Sequence, residues 1–322
     1  MTPRHDWTRE ELGRAVRAGD RRALARAITL VENGDPLAYE VVADLYPSTG
    51  HAHSVGLTGP PGVGKSSLVS ALVRLVRGAG DTVGVISVDP SSPFTQGALL
   101  GDRIRLTDHF LDPAVFIRSM GTRGHEGGLA ETTLQALLVL DAAGKDVVFL
   151  ETVGAGQGEV GVLSIADTVV LALMPGSGDS IQALKAGIME IPDVIAINKM
   201  NHPLARTMLS EVRQVLSLGP SGTPRPPVVL TEAVTGEGVD ALWAAIVEHR
   251  TRLEADGELE RRRRRNLARE VFQVASIRAR RHLEETVQDD PELRRLLVEV
   301  QERRLDPLTA VREILEQVFE ID

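Results

Sequence analysis

Short apolar runs recur through the middle of the chain, at 54–58, 83–88, 147–151, 168–173, 194–197 and 227–231. Each is nearly continuous in Val, Ile, Leu and Ala instead of alternating apolar with polar. Strands that read this way are covered on both faces, as in parallel sheets. Stretches with apolar positions three and four apart separate them, so helices cross over between strands. The pattern predicts an α/β fold with a doubly wound, mainly parallel sheet.

The flanks read differently. Residues 8–33 carry one helical pattern, with Leu12 and Val16 four apart and then Leu24, Ile28 and Val31. Asn33-Gly34-Asp35-Pro36 stops it, and another short helix runs to about Leu45. Beyond Gly257 the chain is charged and helical. Leu293, Leu296, Leu297 and Val300 form one stripe, and Val311, Ile314, Leu315 and Val318 another, with Asp306-Pro307 opening the last helix. These stripes fit packing on the main domain and a dimer arm equally well. The expected organisation is an N-terminal helical extension over 1–50, an α/β domain over 51–250 and a C-terminal helical arm over 251–322.

Composition narrows the chemistry. With no cysteine there is no disulfide, no Cys-ligated metal and no thiolate nucleophile. A net charge of −9 speaks against general nucleic-acid binding, and Arg261 to Arg265 read as a solvated helix face or a linker. No apolar stretch approaches the roughly 20 residues of a membrane span, and the N-terminus has no apolar signal region. The expectation is a soluble cytoplasmic protein. Of 36 Lys plus Arg, only Lys65, Lys145, Lys185 and Lys199 are lysines. Where arginine is the default cation, a surviving lysine marks a place that suits a compact ammonium on a flexible stem. Lys145 reads as a turn residue; the other three fall in candidate sites.

The strongest motif is Gly59-Pro60-Pro61-Gly62-Val63-Gly64-Lys65-Ser66, a complete G-x-x-x-x-G-K-S between a strand and a helix. Its glycines let backbone N–H groups turn inward around phosphate oxygens at the positive end of a helix. Lys65 is expected on the β- and γ-phosphates, and the Ser66 hydroxyl on Mg²⁺. Ser67, next along, completes this part of the site. Asp89, at the end of the following strand, and Asp102 are candidate Mg²⁺ ligands, since hard cations take oxygen donors. Strand 147–151 ends in Glu151-Thr152-Val153-Gly154, an acid-x-x-Gly switch in which Glu151 orders the metal's water and Gly154 senses the γ-phosphate. Where small GTPases place a water-orienting glutamine stands Ala155, and Gln157 lies two positions farther on. Slow intrinsic hydrolysis, accelerated by a partner, is the expectation.

Asn198-Lys199-Met200-Asn201 is the guanine-reading Asn-Lys-x-Asp motif with its last residue changed. An aspartate there accepts from the ring N–H and the exocyclic amine of guanine. Losing a charge-assisted bond costs roughly 1.5–3 kcal/mol, about 10- to 150-fold in affinity. An amide donor suits a carbonyl, so GTP and GDP are the expected nucleotides with XTP as an alternative. Thr231-Glu232-Ala233, after the last strand, occupies the place of the usual Ser-Ala base loop, and Glu232, Ala233 and Val234 are the candidate base-site residues there. His125 lies in a Gly-rich segment with no convincing metal-ligand spacing.

Together these segments resemble the MeaB/MMAA/ArgK family of P-loop GTPases over nearly the whole chain. The resemblance rests on Gly19-Asp20-Arg21-Arg22-Ala23-Leu24, the phosphate loop, Val88-Asp89-Pro90-Ser91-Ser92 and Leu100-Gly101-Asp102. It also takes in Thr122-Arg123-Gly124-His125, Glu151-Thr152-Val153-Gly154 and Thr235-Gly236-Glu237-Gly238. It implies a GTP-dependent chaperone of an adenosylcobalamin-dependent acyl-CoA mutase of the methylmalonyl-CoA type, gating cofactor loading and protecting the mutase. It further implies a homodimer through C-terminal helices, and a third switch loop containing Asp179, Gln182 and Lys185. Asn201 and Glu232 depart from the family pattern. A nickel-insertion GTPase lacks its cysteines here. A kinase of a transport protein and a nucleotide-binding adaptor with little turnover are the alternatives.

Overall fold

The computed structural model describes residues 7–89, 106–121, 128–152, 163–176, 192–218 and 225–319. The chain divides into two compact units, Met1–Leu267 and Ala268–Asp322.

The first unit is built on a seven-stranded parallel sheet. Its strands are β1 (His53–Thr58), β2 (Val83–Asp89), β3 (Val115–Gly121), β4 (Val147–Thr152), β5 (Thr168–Leu173), β6 (Val194–Ile197) and β7 (Val228–Leu230), in the order β3-β2-β4-β1-β5-β6-β7. β1 is central, paired with β4 on one side and β5 on the other. Side chains alternate between two cores. On β4, Val148 and Leu150 pack with the N-terminal helices α1 (Arg9–Arg17), α2 (Arg21–Glu32) and α3 (Pro36–Leu45) and with α5 (Gly128–Ala142). Val147 and Phe149 face the opposite core, built with α4 (Lys65–Gly78) and α7 (Val239–Ala255). A smaller core joins α6 (Ala205–Ser217), through Met208 and Val212, to β5 and β6. Covering on both faces is why the strands read as unbroken apolar runs.

Three readings of the sequence are corrected. The single helix expected over 8–33 is two, because Gly19 adopts φ 73° and the Asp20 carboxylate caps a new start, accepting from Arg22 N and Ala23 N. β3 was not anticipated at all. Arg118 interrupts its apolar run, and the charge is met by Glu32 of α2, whose Oε1 accepts from Arg118 Nε at 2.9 Å. The arginine run is not merely a solvated face. It lies on α8 (Glu258–Asp289), where Arg262 takes both oxygens of Asp193 at 2.8 and 2.9 Å. Arg263 takes both oxygens of Asp167 at 2.7 Å, and also bonds the carbonyls of Gly50 and Ala52. Asp167 and Asp193 immediately precede β5 and β6, and their carboxylates also accept from Ser54 N and Val169 N. Consecutive arginines thus bolt the start of α8 to the amino-terminal edge of the sheet. Burial pushes the Asp167 carboxyl up, but Arg263 and the Ser54 N–H outweigh it and hold it below the usual carboxylate range.

In the second unit the remainder of α8 joins α9 (Pro291–Gln301) and α10 (Pro307–Phe319). Val287, Leu293, Leu296 and Ile314 are buried together, and the His282 and Phe319 rings meet edge to face at 6.1 Å. Asp306 caps α10, its Oδ1 accepting from Leu308 N and Thr309 N at 3.1 Å. Among the described residues no helix is long and apolar enough to cross a membrane.

Candidate nucleotide site

The site lies at the carboxyl end of β1, where open parallel sheets place their ligands. Gly59 leaves β1 at φ 142°, and a Cβ there would fall 2.0 Å from the Ala172 carbonyl oxygen of β5. Only glycine lets the loop start this close to the neighbouring strand. Gly64, at φ 92°, caps α4, and a Cβ there would meet Asn198 Nδ2 at 2.6 Å. The loop is therefore held between the backbone of β5 and the side chain that follows β6.

Lys65 is the first residue of α4 and is buried. Its Nζ donates to Gly59 O at 2.5 Å and to Pro60 O at 3.2 Å, so the ammonium stands inside the loop. The Ser66 hydroxyl donates to Glu151 Oε1 at 2.5 Å. Glu151 sits on β4 opposite Leu57 of β1 and Ser87 of β2, and is 2% exposed. Ser87 Oγ donates to its other oxygen at 3.4 Å. A buried carboxylate against a phosphate-loop hydroxyl is an all-oxygen donor set, which fits Mg²⁺. Among the described residues no three Asp, Glu or His side chains cluster as a self-sufficient metal site. Mg²⁺ that completes its coordination with phosphates and water needs no such cluster.

The base-reading segments are tied to the loop. Asn198 Nδ2 donates to Val63 O at 2.8 Å, and its Oδ1 accepts from Ala233 N at 3.0 Å and Thr231 Oγ1 at 3.4 Å. One carboxamide thus joins the phosphate loop, the end of β6 and the loop after β7. Lys199 holds a left-handed φ of 60°, with Nζ on Gly62 O at 3.0 Å and Met174 Sδ at 3.2 Å. Met200 N donates to Thr231 O at 3.0 Å. Asn201 is exposed, Glu232 half-buried, Ala233 buried and Val234 largely exposed.

The structure therefore brings together Gly59 to Ser66, Glu151, Asn198, Lys199 and Ala233. Asp89 closes β2, but its side chain, together with Asp102, Gln157, Asp179, Gln182 and Lys185, lies outside the described residues. Ser87 and Met174 contribute contacts that motif reading missed. Ser87 had a signal, a lone hydroxyl within the apolar run 83–88.

The family model of the methylmalonyl Co-A mutase-associated GTPase MeaB matches residues 24–288. A Pyrococcus abyssi protein carrying a provisional GTPase name is 46% identical over 314 residues, covering 96% of this chain and 97% of its own. The GTPase ArgK of Escherichia coli is 35% identical over 322 residues, covering 97% of each. The crystal structure of a LAO/AO transport system kinase superposes with a TM-score of 0.74 at 29% identity, covering 98% of this chain and 99% of that one. Sheet, phosphate loop and sequence agree: the chain belongs to the MeaB family of P-loop GTPases.

Proposed function

We propose that the protein is a Mg²⁺-dependent GTPase that acts as a chaperone of a cobalamin-dependent acyl-CoA mutase, gating cofactor loading and protecting the mutase. The observation that carries this reading is the 2.5 Å bond from Ser66 to Glu151. It links the phosphate loop to the strand that runs directly into the Gly-rich segment 153–158. A change at the phosphates is thereby felt where a partner would read it. The family description, which names a methylmalonyl-CoA mutase, supports the choice of partner.

In this reading Lys65 and the loop N–H groups hold the β- and γ-phosphates, stabilising charge as the terminal phosphoryl group leaves. Ser66, Glu151, Asp89 and Asp102 would hold Mg²⁺, which supplies a hard positive centre beside the phosphate oxygens. Gln157 orients the attacking water. Asp179, Gln182 and Lys185 report to the mutase, and the C-terminal helices pair two copies in the cytoplasm. With Ala155 next to Gly154, turnover without the partner is slow.

The test is complex formation with the mutase by analytical ultracentrifugation, with GDP and with a non-hydrolysable GTP analogue. A complex whose affinity differs between the two nucleotides supports the proposal. Absence of any complex in either state contradicts it.

A further inference from the structure

The buried Glu151 carboxylate is met by a hydroxyl at each oxygen. Ser66 Oγ donates to Oε1 at 2.5 Å, and Ser87 Oγ donates to Oε2 at 3.4 Å. The first hydroxyl comes from α4, directly after the phosphate loop, and the second from β2. Ser87 and Glu151 are register partners on β2 and β4, so their side chains leave the sheet on one face.

Ser87 is an unusual occupant of its strand. Val83, Val85, Ile86 and Val88 around it are fully buried, and Ser87 itself is 3% exposed. A hydroxyl placed there costs free energy unless it is hydrogen-bonded, and the bond it makes is to Glu151. Packing alone would be served as well by an alanine or a valine. β2 closes at Asp89 two residues on, so the strand that supplies this hydroxyl also carries a candidate metal ligand into the site.

Resting on the reading of Ser66 and Glu151 as holders of Mg²⁺, we infer that Ser87 is a positioning residue for the metal, acting through Glu151. The terminal torsion of a glutamate is soft, with a broad and roughly two-fold profile. A bond at Oε1 alone leaves the carboxylate free to turn about that contact. A second bond at Oε2, from the opposite side, sets its plane. The lone pairs that the hydroxyls leave unused then keep one direction in advance, and the cost of ordering them is not met when the metal arrives.

The experiment measures GDP dissociation constants in excess Mg²⁺ and in EDTA for wild type, Ser87→Ala, Ser87→Val and Ser87→Thr. The ratio of the two constants isolates the metal's share of binding. Valine and threonine have nearly the same shape, so that pair differs in the hydroxyl, and packing strain is common to both. Ser87→Ala and Ser87→Val should cut the wild-type ratio by ~3- to 10-fold, the scale of one lost hydrogen bond. Ser87→Thr should keep it. The constant in EDTA shows that each variant is folded. Equal ratios in Ser87→Val and Ser87→Thr, or a wild-type ratio in Ser87→Ala, overturn the inference. A wild type whose GDP affinity is the same in Mg²⁺ and in EDTA overturns the reading of Ser66 and Glu151 as metal holders, and the inference with it.

Discussion

The Ser66 hydroxyl donates to Glu151 Oε1 at 2.5 Å across the centre of the sheet, both residues being buried. α4 and β4 are adjacent here only because β4 pairs with β1, the strand that feeds the phosphate loop. The contact needs the parallel topology, and the proposed coupling of phosphate to switch needs the contact.

Glu151→Gln should retain GDP binding and lose turnover. The amide keeps the shape and an acceptor for Ser66 but removes the charge beside the metal position. Single-turnover hydrolysis should fall ~100-fold, the scale of losing one electrostatic contribution in a preorganised site. The Mg²⁺ concentration needed for half-maximal rate should rise. Unchanged hydrolysis would remove Glu151 from the reaction.

Gly59 and Gly62 separate steric fit from backbone conformation. Gly62→Ala places its Cβ in open space at φ 77°, so only the left-handed conformation is penalised, by ~1–2 kcal/mol. Gly59→Ala also drives a methyl into the Ala172 carbonyl and should cost more than ~2 kcal/mol. Thermal unfolding should rank wild type, Gly62→Ala and Gly59→Ala in falling order, at about 2–4 °C per kcal/mol. Equal losses would mean that β5 does not confine the loop.

Stability should fall between about pH 6.5 and pH 4 through His53. Burial lowers its imidazole from 6.5 to about 4, with Arg250, His249 and Arg263 adding to that and Asp167 opposing it. The folded protein therefore holds the ring neutral where the unfolded chain binds a proton. The contribution is complete above 6.5 and is lost as pH falls toward 4, by at most ~1.4 kcal/mol per pH unit. His53 Nε2 shares a hydrogen with Thr168 Oγ1 at 3.0 Å, and Thr168 bonds His249 Nδ1 at 3.0 Å. Urea unfolding at pH 7, 6 and 5 should show the slope in wild type and a shallower one in His53→Phe. Equal slopes would place the titration elsewhere.

The sequence was most legible where local pattern and tertiary environment agree. β1, β4 and β5 are buried on both faces and read as apolar runs, and Gly59 to Ser66 is a motif because backbone geometry and phosphate chemistry act within eight consecutive residues. β3 was hidden because Arg118 breaks the run, and its partner Glu32 is far away in sequence. Arg262 and Arg263 were misread for the same reason, since Asp193 and Asp167 belong to other elements. In the site, Lys65, Ser66, Glu151 and Asn198 were named from motifs. Ser87 joins Glu151 only through strand register, which the sequence does not display.

The most direct test of the account is the rate of GTP hydrolysis at fixed protein concentration while a cobalamin-dependent acyl-CoA mutase is titrated in. The account predicts a slow basal rate and a saturable rise, which Glu151→Gln abolishes although that variant still binds GDP. A rate that stays flat across the titration would contradict the coupling of this site to a mutase and leave a nucleotide hydrolase without that partner.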